Sequence, residues 1–299
     1  KPAPTPPPQP KPPRAEIVKE PSLIERLSTQ GNSLGMKFIH FGDLTDQSKV
    51  LGCIHETRTR DYAAFMASGE YKMEGSEADN WKTYEYNGWP VGRGKSGDEA
   101  DIAKSAHPVC CVNHNDAKAF CDWLTKKERA QGLIGPKDFY RLPTDHEWSL
   151  MVGIGDKEDP RATPESKDDA EALKDIYPWG RGYPPPKDKL GNYADATAKA
   201  AGTDFGSSIP GYDDGYATTA PVMSYPANKL GFHDLGGNLW EWCEDWYDGN
   251  KGEQKYRVLR GGSWINFVPS FLLSSRRDVD PPSNRFADFG FRLVLVSGG

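Results

Sequence analysis

The chain has 299 residues, of which 36% are hydrophobic, and its 37 Lys and Arg against 43 Asp and Glu give a formal net charge of -6. This balance provides no basic surface for nucleic acid, and no run of about 18 apolar residues is present that could cross a membrane. The 31 Gly, 25 Pro and 9 Trp favour a loop-rich fold held by large aromatic anchors.

The first 13 residues, KPAPTPPPQPKPP, contain eight prolines and no large apolar side chain. Such a segment cannot build a core, and we expect an extended polyproline II linker. Residues 1–29 are therefore predicted to be a Pro-rich linker and lead-in, with an upstream domain on its far side, and residues 30–297 a single domain. A short helix is expected at 21–28, followed by a first strand at 36–41.

Three helices are predicted from their end signals. The first begins at Thr57 and stops at Gly69. The second is capped by Asn113, carries an apolar face and ends at Gly132. Thr144 is the first residue of a capping box that starts a third, shorter helix. Beyond residue 152, Gly, Pro, Asp and Asn recur every few residues, which indicates loops with short strands. These signals predict an α+β class with two to three helices and few short strands.

The end of the chain holds two predicted strands, 257–260 and 289–296. Between Trp264 and Phe289 no period of 2 or 3.6 is visible. An irregular segment of that length is usually functional or disordered. We call residues 265–288 the insert.

The cysteines form no CxxC pair, and none has a His at zinc-finger spacing. We expect buried thiols. The alternative is one disulfide between Cys121 and Cys243, which would require an exported domain. An extracytoplasmic or cell-surface location is favoured over a cytoplasmic one.

Seven strings follow one another along the chain in this order: NSLGMKF, HPVCCVNHNDAKAFCDWL, YRLPTDHEWSL, YPWG, GFHDLGGNLWEWCEDWY, RVLRGGSW and GFRLVL. In these strings the chain resembles the formylglycine-generating enzyme, or sulfatase-modifying factor, family along residues 32–297. The resemblance implies an elaborated C-type-lectin-like fold. It also implies that Trp240, Trp242 and Trp264, which lie in fixed strings, are core anchors.

Catalytic members of that family carry two copper-binding cysteines at the third and eighth positions after the Ser of the GGS motif. Counted from Ser263, these positions hold Asn266 and Phe271. Neither side chain can supply a thiolate to a soft copper ion. We therefore expect no catalytic residues and no copper, and we predict a non-catalytic domain that binds a ligand. The alternative is an active oxidase of the same family with a different metal site.

The resemblance also implies structural calcium, a hard cation held by oxygen ligands. One site is expected from Asn192 and Asp214 with the backbone carbonyls of Tyr193 and Tyr216. A second is expected around Asn238 and Glu241. The alternatives are turn chemistry for the first pair of side chains and structural hydrogen bonding for Asn238 and Glu241.

The C-terminal RGGSW…GFR frame is shared with the variable proteins of diversity-generating retroelements, in which the same surface carries hypervariable residues. The resemblance therefore leaves open that the insert is a diversified binding face. A protein or peptide ligand is the partner that this surface predicts. The domain could equally be the sensor of a larger protein. The alternative for Phe267, Phe271 and Phe286 is packing beneath the insert. The predicted ligand-binding residues are Ile265, Asn266, Phe267, Val268, Ser270, Phe271, Asp278, Val279, Asp280, Ser283, Asn284, Phe286, Ala287 and Asp288.

Overall fold

The computed structural model describes residues 21–41, 50–92, 102–168, 171–188, 190–203, 206–249 and 252–298. The predicted Pro-rich linker falls largely on residues 1–20, outside these ranges. The α-helices described are α1 (Leu23–Thr29), α2 (Thr59–Ala67), α3 (Asn80–Thr83), α4 (His114–Ala130), α5 (Asp145–Val152), α6 (Pro164–Lys167) and α7 (Ala196–Ala201). The strands described are β1 (Phe38–His40), β2 (Val50–Cys53), β3 (Glu85–Tyr86), β4 (Trp89–Pro90), β5 (Phe139–Arg141), β6 (Ile176–Tyr177), β7 (Gly180–Arg181), β8 (Trp240–Trp246), β9 (Arg257–Arg260), β10 (Arg277–Asp280), β11 (Phe289–Gly290) and β12 (Val294–Val296).

The predicted helices are confirmed, and their caps explain where they begin. Asn113 and Thr144 cap α4 and α5, each in a reciprocal capping box with the residue three positions on. α2 begins two residues later than predicted because Arg58, rather than Thr57, is the capping residue, and its N–H donates to Asp61 Oδ2 at 3.1 Å. The three additional helices α3, α6 and α7 are only four to six residues long.

Two four-stranded sheets form the frame of the domain. One has the order β1-β2-β12-β5 and is antiparallel throughout. The other has the order β10-β9-β8-β11, with β11 parallel to β8. The single strand predicted at 289–296 is therefore two strands, one in each sheet. Between them Arg292 turns into the interior, where its Nη2 donates to Glu241 Oε1 at 2.5 Å.

The main hydrophobic core lies between α2, α4 and the two sheets. Trp240, Trp242 and Trp264 are at most 2% exposed, which confirms them as core anchors. Two smaller apolar clusters surround Trp148 and Tyr193. In the part of the chain described here, no helix is both long enough and apolar enough to span a bilayer.

A buried ion cluster joins α5 to the second sheet. Asp145 Oδ1 accepts from Arg260 Nη1 at 2.5 Å and from Arg277 Nε at 2.9 Å, and Lys167 Nζ lies 2.5 Å from Oδ2. Burial alone would raise the pKa of Asp145, but the three cations outweigh it and hold the pKa below its usual range. The cluster fixes β9 and β10, the two strands that flank the first half of the insert.

Candidate functional site

A tight glycine turn precedes the insert. Gly261 and Gly262 have φ angles of 101° and 74°, a region that side-chain-bearing residues rarely adopt. A Cβ on Gly262 would lie 3.2 Å from the carbonyl oxygen of Phe271, so the turn also requires a close backbone approach. The turn places Ser263 against the insert, with its N–H donating to Asn266 Oδ1 at 2.8 Å.

Ser263, Asn266 and Asp288 form a polar cluster at the base of the insert. Ser263 Oγ is 3.0 Å from Asn266 Oδ1 and 2.9 Å from Asp288 Oδ2. Burial raises the pKa of Asp288 to about 6, although the hydrogen bond from Ser263 opposes the shift. Asp288, predicted as a ligand contact, is only 7% exposed and supports the insert from inside.

The insert is not irregular throughout. Residues Arg277–Asp280 form β10, paired antiparallel with β9 in the register Arg277↔Arg260. The sequence shows no apolar alternation here because the inward residue, Arg277, is a charged side chain bound to Asp145. The predicted contacts Asp278, Val279 and Asp280 therefore lie on a half-exposed strand rather than in a loop.

The three insert phenylalanines have different environments. Phe267 is half-buried and packs against the cluster around Tyr193, and Phe271 packs against the main core with the Arg276 guanidinium 5.3 Å from its ring. Phe286 is 47% exposed. The packing alternative thus describes much of Phe267 and Phe271, whereas Phe286 faces solvent.

The remaining predicted contacts form the surface around these rings. Ser270 and Ser283 are exposed. The half-buried members are Ile265, Asn266, Val268, Asn284 and Ala287.

The segment that carries Phe286 is held at several points. Arg285 forms a two-pronged ion pair with Asp116, at 2.7 and 2.9 Å. The carbonyl oxygen of Phe286 accepts from the N–H of Cys111 at 3.0 Å, and its ring lies 4.9 Å from that of Phe289. This aromatic side chain is therefore presented to solvent by a fixed backbone.

The four residues predicted for the first calcium site come together. Asn192 is 1% exposed, its Nδ2 donates to the carbonyl oxygen of Thr218, and its Oδ1 has no hydrogen-bond partner among the residues that the structure describes. The N–H groups of Tyr193 and Tyr216 donate to the two oxygens of Asp214, at 2.9 and 3.0 Å. Burial, and then the charge of Asp195, raise the pKa of Asp214 to about 8.

A hard cation fits this arrangement, because an unpaired amide oxygen and a carboxylate crowded by another carboxylate both gain from a nearby positive charge. Among the described residues no group of three or more His, Cys, Asp or Glu is placed to hold a metal. The ligands that the family resemblance implies here are one carboxylate, one amide oxygen and two backbone carbonyls.

The second predicted calcium position has a different character. Both Glu241 oxygens accept from Arg292, and Oε2 also accepts from Trp148 Nε1 at 3.0 Å. Asn238 donates to Glu56 at 2.6 Å and accepts from the N–H of Ala220 at 2.9 Å. These contacts correspond to the structural hydrogen-bonding alternative.

All five cysteines are buried free thiols, so the disulfide between Cys121 and Cys243 considered from the sequence is not formed. Both thiols have a raised pKa because of burial. Cys110 and Cys111 are adjacent in the chain, and their sulfurs lie 3.8 Å apart.

The sequence interpretation did not predict the β-hairpin formed by β3 and β4, which presents Trp89, 39% exposed, to solvent. The signal was available, since Asn87-Gly88 is a preferred dipeptide for a two-residue hairpin turn. Both residues have positive φ, 49° and 78°.

The amino-acid sequence is similar to those of known proteins of one family. The mouse formylglycine-generating enzyme is 25% identical over 282 residues, covering 89% of this chain and 59% of its own length. The bovine inactive C-alpha-formylglycine-generating enzyme 2 is 30% identical over 200 residues, 65% of this chain and 52% of its own. The chain thus spans little more than half the length of these relatives.

Among solved structures, PvdO from Pseudomonas aeruginosa superposes with a TM-score of 0.53 at 19% identity, over 87% of this chain and 92% of its own. That similarity establishes the elaborated α+β fold and nothing about activity. The sequence model of the sulfatase-modifying factor enzyme 1-like domain matches residues 54–296. The chain therefore belongs to the sulfatase-modifying factor, or formylglycine-generating-enzyme-like, domain family.

Proposed function

We propose that this domain is a non-catalytic binding module that holds a protein or peptide ligand on its insert. The observation that carries the proposal is the occupancy of the two positions where the family's catalytic members have thiolates. Asn266 is bound to Ser263, and the Phe271 ring packs on the core beneath Arg276. Neither side chain offers a soft ligand to copper. The bovine relative is named an inactive formylglycine-generating enzyme, so the family includes inactive members.

Phe286 is the contact that we propose to contribute most to binding. It is the most exposed of the insert's aromatic side chains, and its backbone is fixed by the Arg285–Asp116 ion pair and by Cys111. A pre-positioned aromatic loses little conformational entropy on binding, and aromatic residues are enriched among interface hot spots. Asp278 and Asp280 on β10 are half-exposed carboxylates, which provide a countercharge for a basic side chain of the ligand.

The binding proposal is tested with a phage-displayed random peptide library selected on the intact chain. Peptides that bind should lose about thirtyfold in affinity on Phe286→Ser, the loss expected of a hot spot. Phe139→Ser is the matched control, because Phe139 is 38% exposed on β5, outside the insert. Selected peptides that bind Phe286→Ser as tightly as the parent chain would overturn the proposal.

The non-catalytic part is tested separately with a cysteine-containing sulfatase peptide, with and without copper. Mass spectrometry is expected to show the thiol unchanged, while the mouse formylglycine-generating enzyme serves as the positive control. Conversion of the peptide thiol to an aldehyde by this chain would instead establish the oxidase alternative.

We further propose that calcium occupies the first predicted site, with Asn192 and Asp214 as its side-chain ligands and the carbonyls of Tyr193 and Tyr216 completing the set. Bound there, calcium would supply structural charge neutralisation and no chemistry. We also propose that the domain acts within a longer protein, because residues 1–13 have the composition of a stiff spacer.

A further inference from the structure

A pocket of about 390 Å³ lies away from the insert, between the β3–β4 hairpin and residues 215–219. We call it the Trp89 pocket. None of the insert residues lines it. Its walls include Trp89, Pro90, His107, Tyr216, Thr218 and Thr219. A cavity of this volume accommodates a small molecule rather than a folded partner.

The hairpin that carries Trp89 is held in place by hydrogen bonds on both sides of this residue. The Asn87 side chain donates to the carbonyl oxygen of Gly202, and Thr218 Oγ1 donates to the carbonyl oxygen of Pro90 at 2.8 Å. Just beyond β4, the N–H of Gly92 donates to Thr219 Oγ1 at 3.0 Å. The backbone that carries the exposed indole is therefore fixed, and a ligand that stacks on the ring need not order the hairpin first.

Among the described residues that line the pocket there is no Asp, Glu, Lys or Arg, so this lining carries no charge of its own. Its imidazole, that of His107, lies with Nδ1 3.1 Å from Thr219 Oγ1. Burial lowers the pKa of His107 to about 4, so the ring is uncharged at neutral pH. A phosphate, carboxylate or ammonium ligand would find no counter-charge here and would lose its hydration.

The polar groups of the lining are hydroxyls and ring nitrogens. Thr218 and Thr219 line the pocket with largely buried side chains, 6% and 2% exposed, and each hydroxyl oxygen keeps an acceptor lone pair beside the hydrogen bonds it already makes. The Trp89 indole N–H donates to no other residue that the structure describes. Beside these groups the faces of Trp89 and Tyr216 provide flat aromatic surface.

From this combination we infer that the Trp89 pocket binds a neutral, hydroxyl-bearing ring such as a single sugar residue of a glycan. The apolar C–H face of the ring would stack on Trp89, and its hydroxyls would bond to the threonine oxygens and the indole N–H. This site is independent of the proposed peptide-binding insert.

The inference is tested by saturation-transfer NMR on the intact chain with glucose, galactose, N-acetylglucosamine, maltose and cellobiose at millimolar concentration. At least one of these sugars should receive saturation from the protein. Trp89→Ala should weaken that binding about tenfold or more, and Trp89→Phe, which keeps an aromatic face, should retain much of it. Glucuronate and glucose 6-phosphate should bind more weakly than their neutral counterparts.

Phe139→Ala and Phe286→Ala are the matched controls, because each removes an exposed aromatic elsewhere and should leave sugar binding unchanged. The melting temperature of every variant is measured to confirm folding. Absence of transfer to all five neutral sugars, or equal transfer in the parent chain and Trp89→Ala, would overturn the inference. Peptide binding through Phe286 can succeed or fail in either case, so the two proposals fail separately.

Discussion

At the scale of single residues, the neighbours of an aromatic side chain determine its role. A ring that is enclosed by other side chains stabilises the fold, whereas an exposed ring is available for binding. Trp242 is fully buried, donates to the carbonyl of Val112 at 3.0 Å and meets the Phe289 ring at 5.4 Å. Trp242→Ala is expected to cost about 3–5 kcal/mol of unfolding free energy through cavity formation. Phe286→Ala should change it by less than about 0.5 kcal/mol, as exposed positions do. Urea unfolding of both variants checks this, and comparable losses would mean that Phe286 is packing.

Asp288 is the residue whose ionisation should be visible in stability. Because its pKa is about 6 when folded, against an ordinary value of 3.8, the folded state holds the proton more tightly than the unfolded state. The group therefore lowers stability as pH rises from about 4 to 6, by about 3 kcal/mol in total. Asp288→Asn keeps a polar partner for Ser263 and removes this loss. The variant should gain stability over the parent as pH increases through that window in pH-dependent urea titrations. A constant difference between the two chains would contradict the assignment.

At the scale of elements, the sequence predicted what local signals determine and missed what distant residues determine. The caps at Asn113 and Thr144 are local, and they located α4 and α5 correctly. The strand β10 escaped because Arg277 occupies an inward position that sequence patterns reserve for apolar residues, and only the distant Asp145 makes that placement stable. The break between β11 and β12 has the same origin, since Arg292 turns inward to meet Glu241.

The same difference between local and distant signals applies to the candidate site. The strings around Ser263 located the insert. The N–H groups of Tyr193 and Tyr216 both donate to Asp214, and calcium binding at this position stays a prediction. Burial of Asp288 was not foreseeable, because an aspartate in an irregular segment ordinarily faces solvent. The Trp89 pocket depends on pairing the hairpin with residues more than 100 positions away, which no local pattern reveals.

The cluster around Asp145 should control how α5 is joined to β9 and β10. Asp145→Asn leaves Arg260 and Arg277 buried with one countercharge fewer, and we expect a loss of about 3–5 kcal/mol. The matched control is Glu70→Gln, which breaks the exposed Lys126–Glu70 pair and should cost less than about 1 kcal/mol. Equal effects in urea unfolding would show that the cluster contributes no more than a surface ion pair.

At the scale of the whole molecule, the domain combines a rigid frame with exposed aromatic side chains on separate elements, among them Phe286 on the insert and Trp89 on its hairpin. The first calcium position lies close to the second of these, because Tyr216 lines the Trp89 pocket and Asn192 donates to the backbone of Thr218. A cation there would hold the 214–219 segment against the 192–193 segment. Calcium should thus support both the stability of the domain and the shape of the pocket.

Calcium at the proposed Asn192–Asp214 position should stabilise the folded domain. A cation that binds only the folded state at a hundredfold excess over its dissociation constant adds about 2.7 kcal/mol to the unfolding free energy, so chelation should lower the melting temperature. Asp214→Asn removes the one carboxylate among the proposed ligands and should abolish the calcium-dependent increase. Asp213→Asn is the matched control, because Asp213 is exposed and binds only the Thr197 hydroxyl, at 2.7 Å, among the contacts resolved. Its calcium response should equal that of the parent chain. Melting curves that do not move with calcium or chelator, together with elemental analysis that finds no calcium, would leave Asn192 and Asp214 with the turn chemistry that their sequence also permits.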